Sequence, residues 1–272
     1  MEVRDTVAIV TGAAGGIGEA LTHRFLEAGA RVLVSDIDVD KLHATAGRLE
    51  QVAGAGTVAA VAGDAADPGT IAEMVAVAER ELGPVDIFVA NAGVGEAAGL
   101  AADEDQWRLG LEVNLLAHVR AARVMVPGWL ERGGGYFVST ASAAGLLTQI
   151  GSAVYSVTKH GAVGFAEWLA VTYGDKGIGV SCLCPMGVDT DLLNGGLRED
   201  APGGGRAARA VTGAGAVLDP RTVAEDVLAA ISEERFLILP HPEVREFARR
   251  KSEDPDRWIR GMQRYARTLA EH

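Results

Sequence analysis

Cysteine is scarce in this chain: Cys182 and Cys184 are its two residues of that type. They stand two apart in an apolar run, so along a strand both point to one face without the geometry a disulfide needs. Buried thiols in a reducing cytoplasm are the expectation. No apolar run reaches the roughly 18 residues that span a bilayer. The charged start, residues 1–5, leads straight into a β-rich segment. Secretion and membrane insertion are therefore not expected. Basic residues are outnumbered, 25 Lys and Arg against 37 Asp and Glu, for a net charge of -12. Nucleic acid and anionic membranes both repel such a surface, which leaves small molecules as the expected partners. The six histidines show no metal-ligand spacing, so no metal is expected. No internal repeat or long linker divides the chain.

What the sequence has is alternation. Seven short β-rich apolar runs, at 7–10, 31–34, 58–61, 85–90, 136–139, 178–183 and 236–239, are separated by longer segments of helical period. This is the pattern of βαβ units whose parallel sheet is covered on both faces. Ile17, Leu21, Phe25 and Ala28 form one helical stripe, and Asp67 before Pro68 reads as an N-cap and first-turn proline. Two stretches interrupt the pattern. Residues 193–217 hold Gly195, Gly196, Gly203, Gly204, Gly205, Gly213 and Gly215, too many for a long stable helix, and read as a flexible substrate lid. Residues 241–272 are rich in arginine and place Trp258, Met262, Tyr265 and Leu269 on one helical face, a helical extension that must pack on something. A single domain over 1–240, with the extension packed on it, is expected.

Directly after the first run comes a glycine-rich turn containing Gly12, Gly15, Gly16, Ile17 and Gly18, and then a helix. Glycines let the backbone approach a pyrophosphate, and the following helix N-terminus supplies free N–H groups and a favourable dipole. That position makes the fold a Rossmann-type, doubly wound, seven-stranded parallel α/β sheet with helices on both faces. Asp36, followed by Ile37, ends the second run about 20 residues beyond the glycines, where a carboxylate accepts from adenosine ribose hydroxyls and repels a 2'-phosphate. NAD is thus expected over NADP; the other reading of Asp36 is a cap for the next helix. Asp64 and Ala65 after the third run, and Asn91, Ala92 and Gly93 after the fourth, fall on the same carboxyl edge. They suggest an adenine contact and a wall beside the cofactor, although Asp, Asn and Gly are also the usual turn formers.

Tyr155 and Lys159 stand one helical turn apart on one face. A free phenol titrates near ~10, and a neighbouring cation favours the phenolate, so Tyr155 could exchange a proton with a substrate hydroxyl. Together with Ser142 these motifs resemble the short-chain dehydrogenase/reductase family, over residues from Val7 to about Leu239 and in the family's order. The resemblance implies a catalytic tetrad: Asn114; Ser142, with Ser139 as the alternative; Tyr155; and Lys159. In it Ser142 binds the substrate oxygen, Tyr155 is the general acid/base, and Lys159 lowers the tyrosine pKa and binds the nicotinamide ribose. Asn114 holds a water that relays protons from Lys159. Pro185, Val188 and Thr190 resemble the contacts to the carboxamide, but Met186 stands where the family has glycine. Met186 would make the pocket narrower or more hydrophobic.

Ala144, Leu147, Gln149, Met186, Leu192 and Leu193 are the candidate substrate pocket, mostly apolar, which suggests a hydrophobic secondary alcohol or ketone. The segment 154–173 is apolar on more than one face, and the resemblance implies a homodimer or homotetramer. The expected function is hydride transfer between NAD and such an alcohol or ketone. A catalytically silent NAD-binding sensor or scaffold is the alternative, and an isomerase or epimerase using NAD transiently is a third reading.

Overall fold

The computed structural model describes residues 1–95, 97–198 and 205–269. Strands β1 (Val7–Thr11), β2 (Arg31–Asp36) and β3 (Val58–Ala62) alternate with helices α1 (Gly16–Glu27), α2 (Val39–Ala53) and α3 (Pro68–Glu81). The second half holds β4 (Ile87–Ala90), α4 (Glu104–Leu111), a π-helical turn Glu112–Leu116, α5 (Ala117–Arg132), β5 (Gly135–Thr140), α6 (Ala144–Leu147), α7 (Ala153–Tyr173) and β6 (Ile178–Leu183). Then come β7 (Gly187–Val188), α8 (Asp191–Gly196), α9 (Arg206–Thr212), β8 (Val217–Leu218), α10 (Pro220–Ser232), β9 (Leu237–Ile238), α11 (Glu243–Glu253) and α12 (Pro255–Thr268).

The sheet runs β3-β2-β1-β4-β5-β6-β9, with every neighbouring pair parallel. Chain order therefore reverses between β1 and β4, and a crevice opens there at the carboxyl ends. Alternation along each strand builds two cores. Ile9, Phe88 and Phe137 face Met74, Trp129 and Leu169 of α3, α5 and α7. Val10, Val34 and Val138 face Leu21, Phe25 and Val227 of α1 and α10. Leu21 and Phe25 are fully buried, while Ile17 and Ala28 complete their stripe as partly buried neighbours. Burying each such side chain contributes roughly 1.5–3 kcal/mol. Asp67 caps α3 by accepting from the Thr70 N–H, with Pro68 at its first position.

Most strand ends differ from the sequence reading by one or two residues. The fourth strand starts at Ile87, because the Asp86 side chain takes the Val7 N–H and the Val85 carbonyl is spent on the Trp129 indole. An additional two-stranded parallel pair, β7 with β8, follows β6. The glycine-rich segment holds two short helices, α8 and α9, and returns to the domain through β8; Gly203 and Gly204 lie outside the described residues. The C-terminal extension is a helix pair, α11 and α12, docked beside α6; its last three positions, 270–272, lie outside the described residues. Among the described residues no helix is long and apolar enough to cross a membrane.

Candidate active site

The glycine turn is shaped by what a side chain there would strike. Gly12 has φ +64, and a Cβ on it would lie 2.9 Å from the Ala92 Cα. Gly18 meets the Gly12 carbonyl so closely that any Cβ would collide, which fixes how tightly α1 packs on β1. Gly15 is the N-cap of α1, has no side-chain cap, and a Cβ on it would meet nothing within 4 Å. The first turn of α1 thus presents uncapped N–H groups to open space, the arrangement that receives a phosphate. Asn91 secures the turn from β4: its Nδ2 donates to the Thr11 carbonyl at 3.0 Å, and the Thr11 hydroxyl accepts from the Asn91 and Ala92 N–H groups at 2.9 and 3.0 Å.

Asp36 is not the cap of α2. That role belongs to Asp38, which accepts from the Lys41 N–H. The Asp36 carboxylate is instead held at the crevice by the Ala14 N–H at 3.0 Å and the Asp38 N–H at 3.1 Å, and Ile37 beside it is 72% exposed. Asp64 accepts from the Ala66 N–H at 2.8 Å, a turn-forming contact, with Ala65 inside that turn. Beyond β6, the Thr190 hydroxyl caps α8 through the Leu193 N–H, and its methyl is the nearest neighbour of Gly16. Val188 is buried in β7, and the Pro185 carbonyl accepts from the Ala143 N–H at 2.8 Å. The proposed cofactor residues thus gather along one edge of the sheet.

Ser142 is 7% exposed; its hydroxyl accepts from the Ala144 N–H at 3.1 Å, donates to the Pro185 carbonyl at 3.4 Å, and lies close enough to Tyr155 to favour its phenolate. Ser139, the alternative, is fully buried and bonded to His118 Nδ1 at 2.9 Å, so it cannot reach a substrate. Lys159 is 2% exposed, donates to the Thr140 carbonyl at 2.9 Å, and sits 5.6 Å from the Tyr155 ring centre. Burial pulls its pKa down to about 8. Burial also raises the Tyr155 phenol above its ordinary value, against the hydrogen bond from Ser142, which pulls it down. The Lys159 ammonium is turned to Thr140, and burial is the largest influence on the phenol.

Asn114 occupies the π-helical turn, a local widening that recurs at functional sites. Its Oδ1 accepts from the Val94 N–H at 2.9 Å, and its Nδ2 donates to the Val94 carbonyl at 2.9 Å and the Thr158 hydroxyl at 3.2 Å. Both amide hydrogens are thereby used within the protein. A Cβ on Gly93 would stand 3.2 Å from Asn114 Oδ1 and 3.4 Å from Lys159 Nζ, so these two side chains converge over Gly93.

Next to Ser142 opens a cavity of about 360 Å³. Ala143, Ala144, Leu147, Gln149 and Met186 form one side, and Val211 of α9 another. Its far wall is Phe247 of α11 with Trp258, Met262 and Tyr265 of α12; the sequence offered the α12 face as a cover for this active site or for a neighbour's, and Phe247 was not foreseen. The signal was the helical stripe of α12, which gives a face but not its docking place. Leu192, named for the pocket from sequence, is not in this cavity; it is 52% exposed and lies against Gly95. Leu193 does not line the cavity either. His241 was also missed. It is buried, its Nδ1 accepts from the Met186 N–H at 3.1 Å, and its Nε2 faces the Gly187 and Ala216 carbonyls. The ring is therefore the Nε2–H tautomer and ties Met186 to the return of the glycine-rich segment.

Comparison with known proteins matches this geometry. A family model described as short chain dehydrogenase matches residues 6–200. The chain is 35% identical to 1-deoxy-11-beta-hydroxypentalenate dehydrogenase of Streptomyces exfoliatus over 90% of this chain and 86% of that one. It is 35% identical to 3beta-hydroxysteroid dehydrogenase 2 of Eggerthella lenta over 76% and 78%. Among solved structures, a short chain dehydrogenase/reductase from Burkholderia phymatum in complex with NAD superposes with a TM-score of 0.85 at 28% identity, covering 94% of this chain and 96% of that one. L-sorbose reductase from Gluconobacter frateurii, complexed with NADPH and L-sorbose, gives 0.77 at 29% identity over 88% and 97%. The chain belongs to the short-chain dehydrogenase/reductase family of oxidoreductases.

Proposed function

We propose that this chain is an NAD-dependent dehydrogenase that interconverts a hydrophobic secondary alcohol and its ketone. The observation that carries the proposal is the grouping of Ser142, whose hydroxyl favours the Tyr155 phenolate, with Tyr155 and with Lys159 one turn on, beside an apolar cavity lined by the adjoining Ala143 and Ala144. The uncapped α1 N-terminus and the open space at Gly15 suit a pyrophosphate. Asp36, with each of its carboxylate oxygens already accepting one N–H, favours ribose hydroxyls and opposes a 2'-phosphate. Ile37, Asp64 and Ala65 would border the adenine, and Pro185, Val188 and Thr190 the carboxamide.

Bound there, NAD supplies the hydride acceptor. Ser142 holds the substrate oxygen, and Tyr155 takes the hydroxyl proton in oxidation or returns it in reduction. Lys159 holds positive charge behind the phenol and would bind the nicotinamide ribose. Asn114, with both amide hydrogens engaged, keeps the widened helix turn beside Lys159 and Gly93. Because burial raises the phenol, its protonated form prevails at neutral pH, and alcohol oxidation should quicken as pH rises. The relatives named for a hydroxypentalenate, itself a carboxylate, and for a hydroxysteroid are dehydrogenases of hydroxyl compounds, which supports an alcohol as the substrate.

In this reading residues 193–217 act as the substrate lid of a single catalytic domain, and 241–272 as its packed extension. The buried free thiols of Cys182 and Cys184 suit a cytoplasmic setting. Trp168 and Val171, exposed on α7, suit a homodimer or homotetramer. The test is NADH formation across a panel of hydrophobic secondary alcohols, with Tyr155→Phe in parallel. Turnover that collapses in the variant supports the proposal; tight NAD binding without turnover favours the sensor.

A further inference from the structure

Helix α12 is strongly amphipathic, yet none of its residues is buried. Trp258, Met262 and Tyr265, spaced four and three apart, share one face; Trp258 rests partly on Phe247 and the cluster of Ala143, Leu147 and Val244, and the face as a whole looks onto the cavity. An apolar helix stripe against empty space is incompletely packed, and its lining forfeits contacts that an apolar guest restores. The roof is nonetheless fixed in place. The Tyr265 hydroxyl donates to the Ala210 carbonyl of α9 at 2.9 Å, Gln149 Nε2 donates to the Ala207 carbonyl at 2.8 Å, and Lys251 of α11 donates to the Leu146 carbonyl at 2.7 Å. Extension, glycine-rich segment and active-site loop are thus tied together around one void.

Among the described residues the lining contains no Asp, Glu, Lys, Arg or His. A carboxylate or phosphate entering this cavity would lose its hydration without gaining a counter-charge, which costs far more than a neutral group pays. The volume, about 360 Å³, lies near the lower end of the ~300–1,000 Å³ typical of small-molecule sites.

We infer that α12 is the specificity element of this enzyme: Trp258, Met262 and Tyr265 select a compact, uncharged, largely hydrocarbon ring alcohol or ketone and reject its anionic counterparts. This rests on the proposed dehydrogenase activity, so the test separates the two. Turnover with NAD would be measured for isopropanol, decalol, para-methylcyclohexanol and para-hydroxycyclohexanecarboxylate, and decalone binding by calorimetry in the presence of NADH. In the unaltered enzyme, kcat/KM for para-methylcyclohexanol should exceed that for the carboxylate by about a hundredfold or more. Trp258→Ala should lower the ratio of kcat/KM for decalol to that for isopropanol by about tenfold, with NAD affinity as the check on folding. Met262→Lys, on a partly exposed helix face, should raise carboxylate turnover. If no alcohol is oxidised but decalone binds the unaltered enzyme and not Trp258→Ala, the dehydrogenase reading fails and the pocket assignment stands. Equal use of the carboxylate, or a decalol-to-isopropanol ratio untouched by Trp258→Ala, overturns the assignment.

Discussion

The Lys159 ammonium donates to the Thr140 carbonyl at 2.9 Å, inside the protein and behind Tyr155. The charge sits where burial opposes it: its pKa falls from an ordinary 10.5 to about 8. The unfolded chain therefore binds this proton more tightly than the folded one. The ammonium costs stability below pH 8, and the cost fades as pH rises to 10.5. Lys159→Met should abolish turnover while leaving the pH 7 thermal midpoint unchanged or raised, by about 1 kcal/mol once the lost Thr140 hydrogen bond is subtracted. Calorimetric scans at pH 7 and pH 9 check this. A midpoint that falls at pH 7 would mean the lysine holds the fold together rather than charging the site.

His118 is a second buried titrating group, bonded to Ser139 at 2.9 Å with its other nitrogen unpartnered. Burial, aided by the Lys159 charge, pulls its pKa from 6.5 to about 3. Between those values the unfolded chain carries a proton that the folded chain refuses, so stability present above pH 6.5 is lost as pH falls toward 3. His118→Gln should remove this dependence. Urea unfolding of the unaltered chain should lose about 2 kcal/mol more than the variant between pH 7 and pH 5; parallel losses would refute it.

The readable parts of this molecule are those whose chemistry lies within one element or one turn. The Gly12–Gly18 turn follows its strand directly, Tyr155 and Lys159 share a helix face, and the Leu21–Phe25 stripe repeats at helical period. Each such pattern fixes local geometry. Relations between distant segments were not readable. Ser139 and Ser142 are both hydroxyls near a strand end, and only the packing of His118 from α5 takes Ser139 out of play. The face of Trp258, Met262 and Tyr265 was visible in sequence, but its docking beside Ala144 and Met186 depends on how α11 leaves β9. Leu192 stands outside the cavity for the same reason: its exposed side chain lies over Gly95.

Asp36 gives a prediction about cofactor choice. Its carboxylate is fixed by the Ala14 and Asp38 N–H groups, so it cannot swing away from a 2'-phosphate. Asp36→Ala combined with Ile37→Arg should shift the ratio of kcat/KM for NAD to that for NADP by about a hundredfold toward NADP, roughly 2.7 kcal/mol. Ile37 is exposed, so the arginine meets no core. Steady-state kinetics with both cofactors decide it. An unchanged ratio would place the ribose elsewhere.

Gly15 and Gly18 separate what the glycine turn does for the fold from what it does for the cofactor. A methyl group at Gly18 collides with the Gly12 carbonyl oxygen, and the backbone there cannot yield without moving α1 off β1. Gly18→Ala should therefore lower stability by about 1–3 kcal/mol or more. At Gly15 the backbone is extended, with φ -176, and an added Cβ meets nothing within 4 Å. Gly15→Ala should then fold with an unchanged thermal midpoint. Its methyl group points into the space assigned to the pyrophosphate, so NAD affinity should fall by about tenfold or more. Thermal unfolding read beside NAD titration distinguishes the cases: a stable Gly15→Ala that binds NAD normally would move the phosphate site away from this turn.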